Sequence, residues 1–154
     1  MARCSITRKL EFDAGHRIPS HSSKCRHLHG HRYVVIVEVT GEIQDERGES
    51  DDGMVIDFGT LKEVMNEYIV EKYDHKMLIY ENDPELPAIR SCPGVIPVHF
   101  IPTAENMARE FFIGLDHRFL EYKASVVTRV EIFETPNCRA VYTREMFDEE
   151  HSNA

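Results

Sequence analysis

Residues 5 to 14 alternate, with Ile6, Leu10, Phe12 and Ala14 on even positions and Ser5, Thr7, Lys9, Glu11 and Asp13 on odd ones. A period of two belongs to a half-buried strand, because successive side chains leave opposite faces. A turn-rich, basic segment from Pro19 to Arg26 leads into Arg32 to Thr40, whose Tyr33-Val-Val-Ile-Val run is rich in β-branched residues and predicts a second strand. From Thr60 the period lengthens. Leu61, Val64, Met65, Tyr68 and Ile69 form one apolar stripe, and Thr60 with Glu63 makes a capping box, so a helix is predicted there. A second helix is predicted after Thr103, with Ala104, Met107, Ala108, Phe111, Phe112 and Leu115 on its stripe. Ser125 to Glu134 and Arg139 to Arg144 read as the last strands, joined by a turn at Pro136-Asn137. Between the helices, Glu81 to Pro102 carries five of the seven prolines and is expected to be a long irregular loop.

The order strand, strand, helix, helix, strand, strand predicts an α+β fold: a four-stranded antiparallel sheet with two helices packed on one face. The 154 residues suit one domain, expected over residues 1–147, followed by an acidic tail at 148–154 that is expected to fray. Hydrophobic residues at 42% and charged residues at 29% are the balance of a soluble protein, and no apolar run approaches the roughly 20 residues of a membrane span. With no apolar leader, the expected location is cytoplasmic. A net charge of −9 without a basic patch excludes nucleic acid as an expected partner. Cys4, Cys25, Cys92 and Cys138 lie far apart, which argues against a disulfide framework or a tetrathiolate zinc site.

Candidate chemistry concentrates in Cys25-Arg-His-Leu-His-Gly-His31. His29 and His31 are two apart, so at a strand start they share a face, and His27 has the same parity. His16 continues the apolar parity of the first strand, provided Gly15 introduces no bulge. Three neutral imidazoles leave tetrahedral zinc one open position, the catalytic arrangement. Cys25 sits between Lys24 and Arg26, surroundings that favour a thiolate base or nucleophile; the alternatives are a fourth zinc ligand or an inert thiol. Asp74-His75 is either an oriented imidazole or a helix C-terminal cap. Glu134 extends the face of Val126, Val130 and Ile132, delivering a carboxylate to the end of an apolar strand face. Its natural partner is a planar ligand with two parallel N–H groups, the shape of a pterin's 2-amino edge. His21, His99, His117 and His151 read as ordinary surface residues.

At Phe12-Asp-Ala-Gly-His16-Arg, Cys25-x-x-x-His29-Gly-His31, Asp57-Phe, Asp74-His75, Pro102-Thr-Ala-Glu-Asn106 and Glu134-Thr, the chain resembles the 6-pyruvoyl-tetrahydropterin synthase and 6-carboxytetrahydropterin synthase family, in order from about Ser5 to Thr143. The resemblance implies the tunnelling fold, a homohexamer built from two trimers, and active sites shared between subunits. It implies zinc on His16, His29 and His31, which leaves His27 out, and a proton-abstracting role for Cys25. It further implies a proton relay at Asp74 and His75, and a pterin anchor at Glu134 with help from Thr103. The implied substrate is 7,8-dihydroneopterin triphosphate. The three-residue spacing between Cys25 and His29 is similar to that of the bacterial 6-carboxytetrahydropterin synthases of queuosine biosynthesis. The 6-pyruvoyl enzyme is the alternative, since the long loop leads straight into Thr103, and a non-catalytic structural zinc protein closed by Cys25 is a third reading. Arg17, Lys24 and Arg26 are the cations nearest in sequence for meeting a triphosphate.

Overall fold

In the computed structural model, which describes residues 1–120, 122 and 125–152, the two alternating segments form one long antiparallel hairpin. Strand β1 (Arg3–His16) pairs with β2 (His29–Glu42) from Arg3↔Glu42 to His16↔His29 without a break. Gly15 therefore introduces no bulge, and it stands opposite Gly30. A Cβ at Gly30 would lie 3.0 Å from the Ala14 carbonyl oxygen, so the glycine lets the strands close tightly between the two histidines. Phe12, Ala14 and His16 share a buried face with Tyr33, Val35, Val37 and Val39.

The sheet has six strands, not the four expected, and it is mixed rather than antiparallel. The additional pair is β3 (Lys76–Tyr80) and β4 (Val95–Val98), and the order with β5 (Ser125–Thr135) and β6 (Cys138–Thr143) is β4-β3-β1-β2-β5-β6. Strand β3 runs parallel to β1, and β4 parallel to β3. Much of the proline-rich segment is thus ordered, including a helical turn at Leu86–Ile89. Pro97 is tolerated because β4 is an edge strand, where a missing N–H need not break a ladder on both sides.

Helix α1 (Phe58–Met65) begins before the predicted capping box: the Asp57 carboxylate accepts from the Gly59 N–H at 2.6 Å. It continues through a π turn, Asn66–Val70, and a last turn, Glu71–Tyr73. Helix α2 (Ala104–Phe119) begins after Thr103 as predicted, and Thr103 caps it, its Oγ1 accepting from Asn106 N at 3.3 Å. Leu61, Val64, Met65 and Ile69 of the first helix and Met107, Phe111, Phe112 and Leu115 of the second enter one apolar core on the buried sheet face. A bulge at Thr128, opposite the Glu38–Val39 step of β2, shifts the β5 register, so Val127 rather than Val126 is buried, while Val130 and Ile132 keep their expected face.

Of the tail expected to fray, residues 148–151 lie in a helix, while residues 153 and 154 lie outside the described residues. Residues Arg144–His151 form α3, capped by Thr143, and Arg144 donates to the Val127 carbonyl at 2.8 Å and pairs with Asp116. Glu150 accepts from Arg109 at 3.1 Å and from the Tyr142 hydroxyl at 2.8 Å. These bonds, Arg109 foremost, hold the Glu150 carboxyl below its usual range. A depressed carboxylate stabilises above its unfolded pKa, and that contribution fades as pH falls through the lower folded value. Amide protection of α3 is therefore expected to drop below about pH 4, and Glu150→Gln should lower it at neutral pH and flatten the dependence; hydrogen exchange across a pH series measures both. No helix among the described residues is long and apolar enough to cross a membrane.

Candidate active site

Unbroken register carries His16 and His29 to the same end of the β1–β2 hairpin, and the two-residue period puts His31 beside them on the buried face. Their ligand atoms all lie within 4.8 Å of one another, and among the described residues Cys25 is not part of that group. His16 Nδ1 lies 2.5 Å from the Pro102 carbonyl oxygen and His29 Nδ1 2.8 Å from that of His27. A carbonyl only accepts, so both Nδ1 atoms carry the proton and both Nε2 atoms present lone pairs. Those Nε2 atoms face each other at 3.1 Å. Tetrahedral ligands at about 2.0–2.1 Å from zinc would stand roughly 3.3 Å apart, so the spacing fits a bridging cation. The third imidazole makes the same point: His31 Nε2 is buried without a hydrogen-bond partner, with Glu134 Oε1 3.5 Å away.

Burial is the main cause that lowers the pKa of His16 and of His31, opposed in His16 by its Pro102 hydrogen bond and in both by Glu134. The neutral, ligating form is favoured. The Tyr33 hydroxyl, 3.3 Å from His16 Nδ1, is pushed far above its usual range by burial and stays protonated. Donor type, tautomer and the orphaned nitrogen together make a group of three imidazoles that could hold a metal ion.

Beside the histidines lies a cavity of about 310 Å³ lined by His16, His29, Cys25, Thr103 and Glu134, and also by Glu105, His21 and Cys138. A second, apolar hollow of about 570 Å³ lies against the opposite sheet face, with Val34, Ile36 and Phe133, and it too reaches His31 and Glu134. Cys25 is half-buried on a short helical turn, Lys24–Arg26, and its carbonyl accepts from Ile18 N at 2.9 Å, which closes the 17–28 loop at the histidine end of the hairpin. Arg17 is not a free cation for a phosphate: it pairs with the buried Asp83. Lys24 and Arg26 are exposed. His27 is exposed and serves through its carbonyl alone. Glu105 and Cys138 were not expected at the cavity, whereas His21, which borders it, is exposed as expected. Only Cys138 had a readable signal, since the Pro136-Asn137 turn brings it opposite Thr135, next to Glu134.

Asp74 and His75 touch each other but do not line this cavity. Asp74 Oδ2 is 2.8 Å from His75 Nδ1, and Asp74 Oδ1 accepts the Asp13 N–H at 2.8 Å, the main cause that lowers the Asp74 pKa. The His75 N–H returns to the Asp13 carbonyl at 2.7 Å. His75 adopts a φ of +58°, a left-handed conformation rare outside glycine, and its side chain is 78% exposed. Asp74 also closes the helix at Tyr73, so cap and imidazole orienter are both true of it.

A family model described as 6-pyruvoyl tetrahydropterin synthase matches residues 5–145. A 6-carboxy-5,6,7,8-tetrahydropterin synthase of Rickettsia bellii (strain RML369-C) is 39% identical over 142 residues, covering 90% of this chain and 97% of that protein. Among solved structures, an uncharacterized protein from Wolinella succinogenes superimposes with a TM-score of 0.79 at 26% identity, covering 94% of this chain and 99% of the other. The 6-pyruvoyl tetrahydropterin synthase of Caenorhabditis elegans does so with a TM-score of 0.65 at 26% identity, over 93% and 96%.

Proposed function

This chain belongs to the 6-pyruvoyl tetrahydropterin synthase family, and from that premise we propose that it is a zinc-dependent 6-carboxy-5,6,7,8-tetrahydropterin synthase. It would convert 7,8-dihydroneopterin triphosphate and water to 6-carboxytetrahydropterin, acetaldehyde and triphosphate. The observation that carries the reading is one cavity that gathers a three-histidine metal site, a thiol and a carboxylate. Its volume falls within the ~300–1,000 Å³ of small-molecule sites.

His16, His29 and His31 would hold the zinc, which would supply Lewis acidity toward the substrate's side-chain hydroxyls. Cys25, beside the metal but outside its ligand group, takes the proton from the adjacent carbon. Glu134 accepts the paired N–H groups of the pterin edge, a partner that offsets the cost of holding a carboxylate at the end of an apolar face. Thr103 lends its hydroxyl at the N-terminus of α2. Asp74 fixes the tautomer of His75, so that Nε2 can pass protons on the far side of the substrate. Because that dyad does not line the cavity, it is supplied by a second copy of the chain, in an assembly we take to be a homohexamer of two trimers.

The test is incubation of zinc-loaded protein with 7,8-dihydroneopterin triphosphate and product analysis by mass spectrometry. 6-Carboxytetrahydropterin and acetaldehyde are expected; 6-pyruvoyl-tetrahydropterin would move the protein to the sister activity, and no consumption would sink the substrate assignment. The structural-zinc reading is disfavoured by the geometry, since a Cys-His₃ site would require Cys25 within the ligand group.

A further inference from the structure

We propose that the buried Arg17–Asp83 pair is a latch that positions the metal centre, holding the end of β1 so that His16 keeps Nε2 aimed at the ion; the inference rests on the metal reading above. Asp83 is among the few charged residues of the core, and its side chain is fully buried. Its Oδ2 lies 3.1 Å from Arg17 Nε, whose side chain is 13% exposed. That N–H is not aimed along the line between them, so the contact is an ion pair without a hydrogen bond there. A buried pair with incomplete hydrogen bonding is poor value for stability, because desolvation offsets the attraction. A role in specifying geometry is the remaining physical reason to keep it.

The geometry supplies that role. Asp83 is fixed from its own side: Oδ1 accepts from Glu85 N at 2.8 Å, its N–H donates to the Tyr80 carbonyl, and its carbonyl accepts from Leu86 N. It sits just past β3, whose Leu78 is the parallel partner of His16. The segment that opens with Asp83 closes at Pro102, whose carbonyl takes the Nδ1 proton of His16. Residues 81–102 therefore grip two successive residues where β1 leaves the sheet, Arg17 near their beginning and His16 at their end. The backbone of His16 is paired with His29 and Leu78, and the turn beyond it is closed by Ile18 N to the Cys25 carbonyl and His21 N to the Ile18 carbonyl. The Arg17–Asp83 pair ties that turn to residues 81–102, and losing it would loosen the Pro102 carbonyl against His16 Nδ1.

Two variants test the latch: Arg17→Met/Asp83→Leu, which removes both charges and keeps apolar volume, and Arg17→Lys, which keeps the charge on a flexible stem. The single change Asp83→Asn is avoided because it strands the Arg17 charge. The readouts are zinc affinity by competition with a chromogenic chelator, thermal midpoint, and the visible spectrum after Co²⁺ is exchanged for zinc. The latch predicts that the double variant melts no lower than the parent yet binds zinc about 10–100-fold more weakly, with an altered cobalt spectrum. Arg17→Lys should fall between, and it decides alone if the double variant does not fold. Zinc affinity and cobalt spectra matching the parent's overturn the latch. A parent protein that takes up no zinc overturns the metal reading itself.

Discussion

Replacing Cys25 with alanine is expected to lower turnover by about 10²–10⁴-fold, the usual contribution of a positioned general base, while zinc content and thermal midpoint stay at the parent's values. The separation of effects follows from where the thiol sits. Its side chain lines the cavity, yet Cys25 is outside the group whose ligand atoms lie within 4.8 Å of one another, so removing the sulfur removes no metal ligand. The loop it belongs to is held through main-chain atoms, Ile18 N to the Cys25 carbonyl and His27 N to the Lys24 carbonyl, both at 2.9 Å, which alanine leaves intact. His31→Ala is expected to behave differently, losing both metal and turnover, because its buried Nε2 has no hydrogen-bond partner and is available to ligate an ion. Metal analysis of the two variants beside their steady-state rates checks the pair. A Cys25→Ala protein that arrives without zinc would return the thiol to the ligand sphere and with it the structural-zinc reading.

The parts of this design that were readable in the chain are those governed by local periodicity. Alternation in β1 and β2 runs through to His16, His29 and His31, so parity put each on its strand's apolar side, although it left His27 open until the family resemblance set it aside. The helix stripes were equally plain, although the start of α1 was misplaced because Asp57, an earlier cap, competes with Thr60. What escaped was set by pairing at a distance. Strands β3 and β4 are five and four residues long and pair in parallel, and β4 carries Pro97, so Val95–Val98 read as part of a loop and Lys76–Tyr80 drew no strand reading. A bulge in β5 at Thr128, opposite the Glu38–Val39 step of β2, exchanged Val126 for Val127, which no alternation rule anticipates. Arg17 read as a cation for the triphosphate and Asp83 drew no reading, because burial of an ion pair depends on a fold that neither neighbourhood displays.

Mixing two inactive variants, Cys25→Ala and His75→Ala, is expected to restore activity when their subunits exchange, and this follows from the placement of the dyad. His75 is held with care: a left-handed backbone of the kind that costs on the order of 1–3 kcal/mol, a carboxylate on Nδ1, and both amide groups of Asp13 committed to the pair. Such strain is retained where the side chain has work to do, yet in one chain the imidazole points to solvent and lines no part of the metal cavity. A neighbouring copy can bring it there. If each site draws Cys25 from one subunit and His75 from another, random 1:1 assembly leaves about one site in four with both groups intact. Each variant alone should be near background, and the co-refolded mixture should reach up to about a quarter of the parent rate, with the rise absent when subunits are mixed without exchange. A mixture that stays at background after demonstrated exchange would mean that thiol and imidazole act within one chain, or that the dyad is structural, and the shared-site assembly would have to be abandoned.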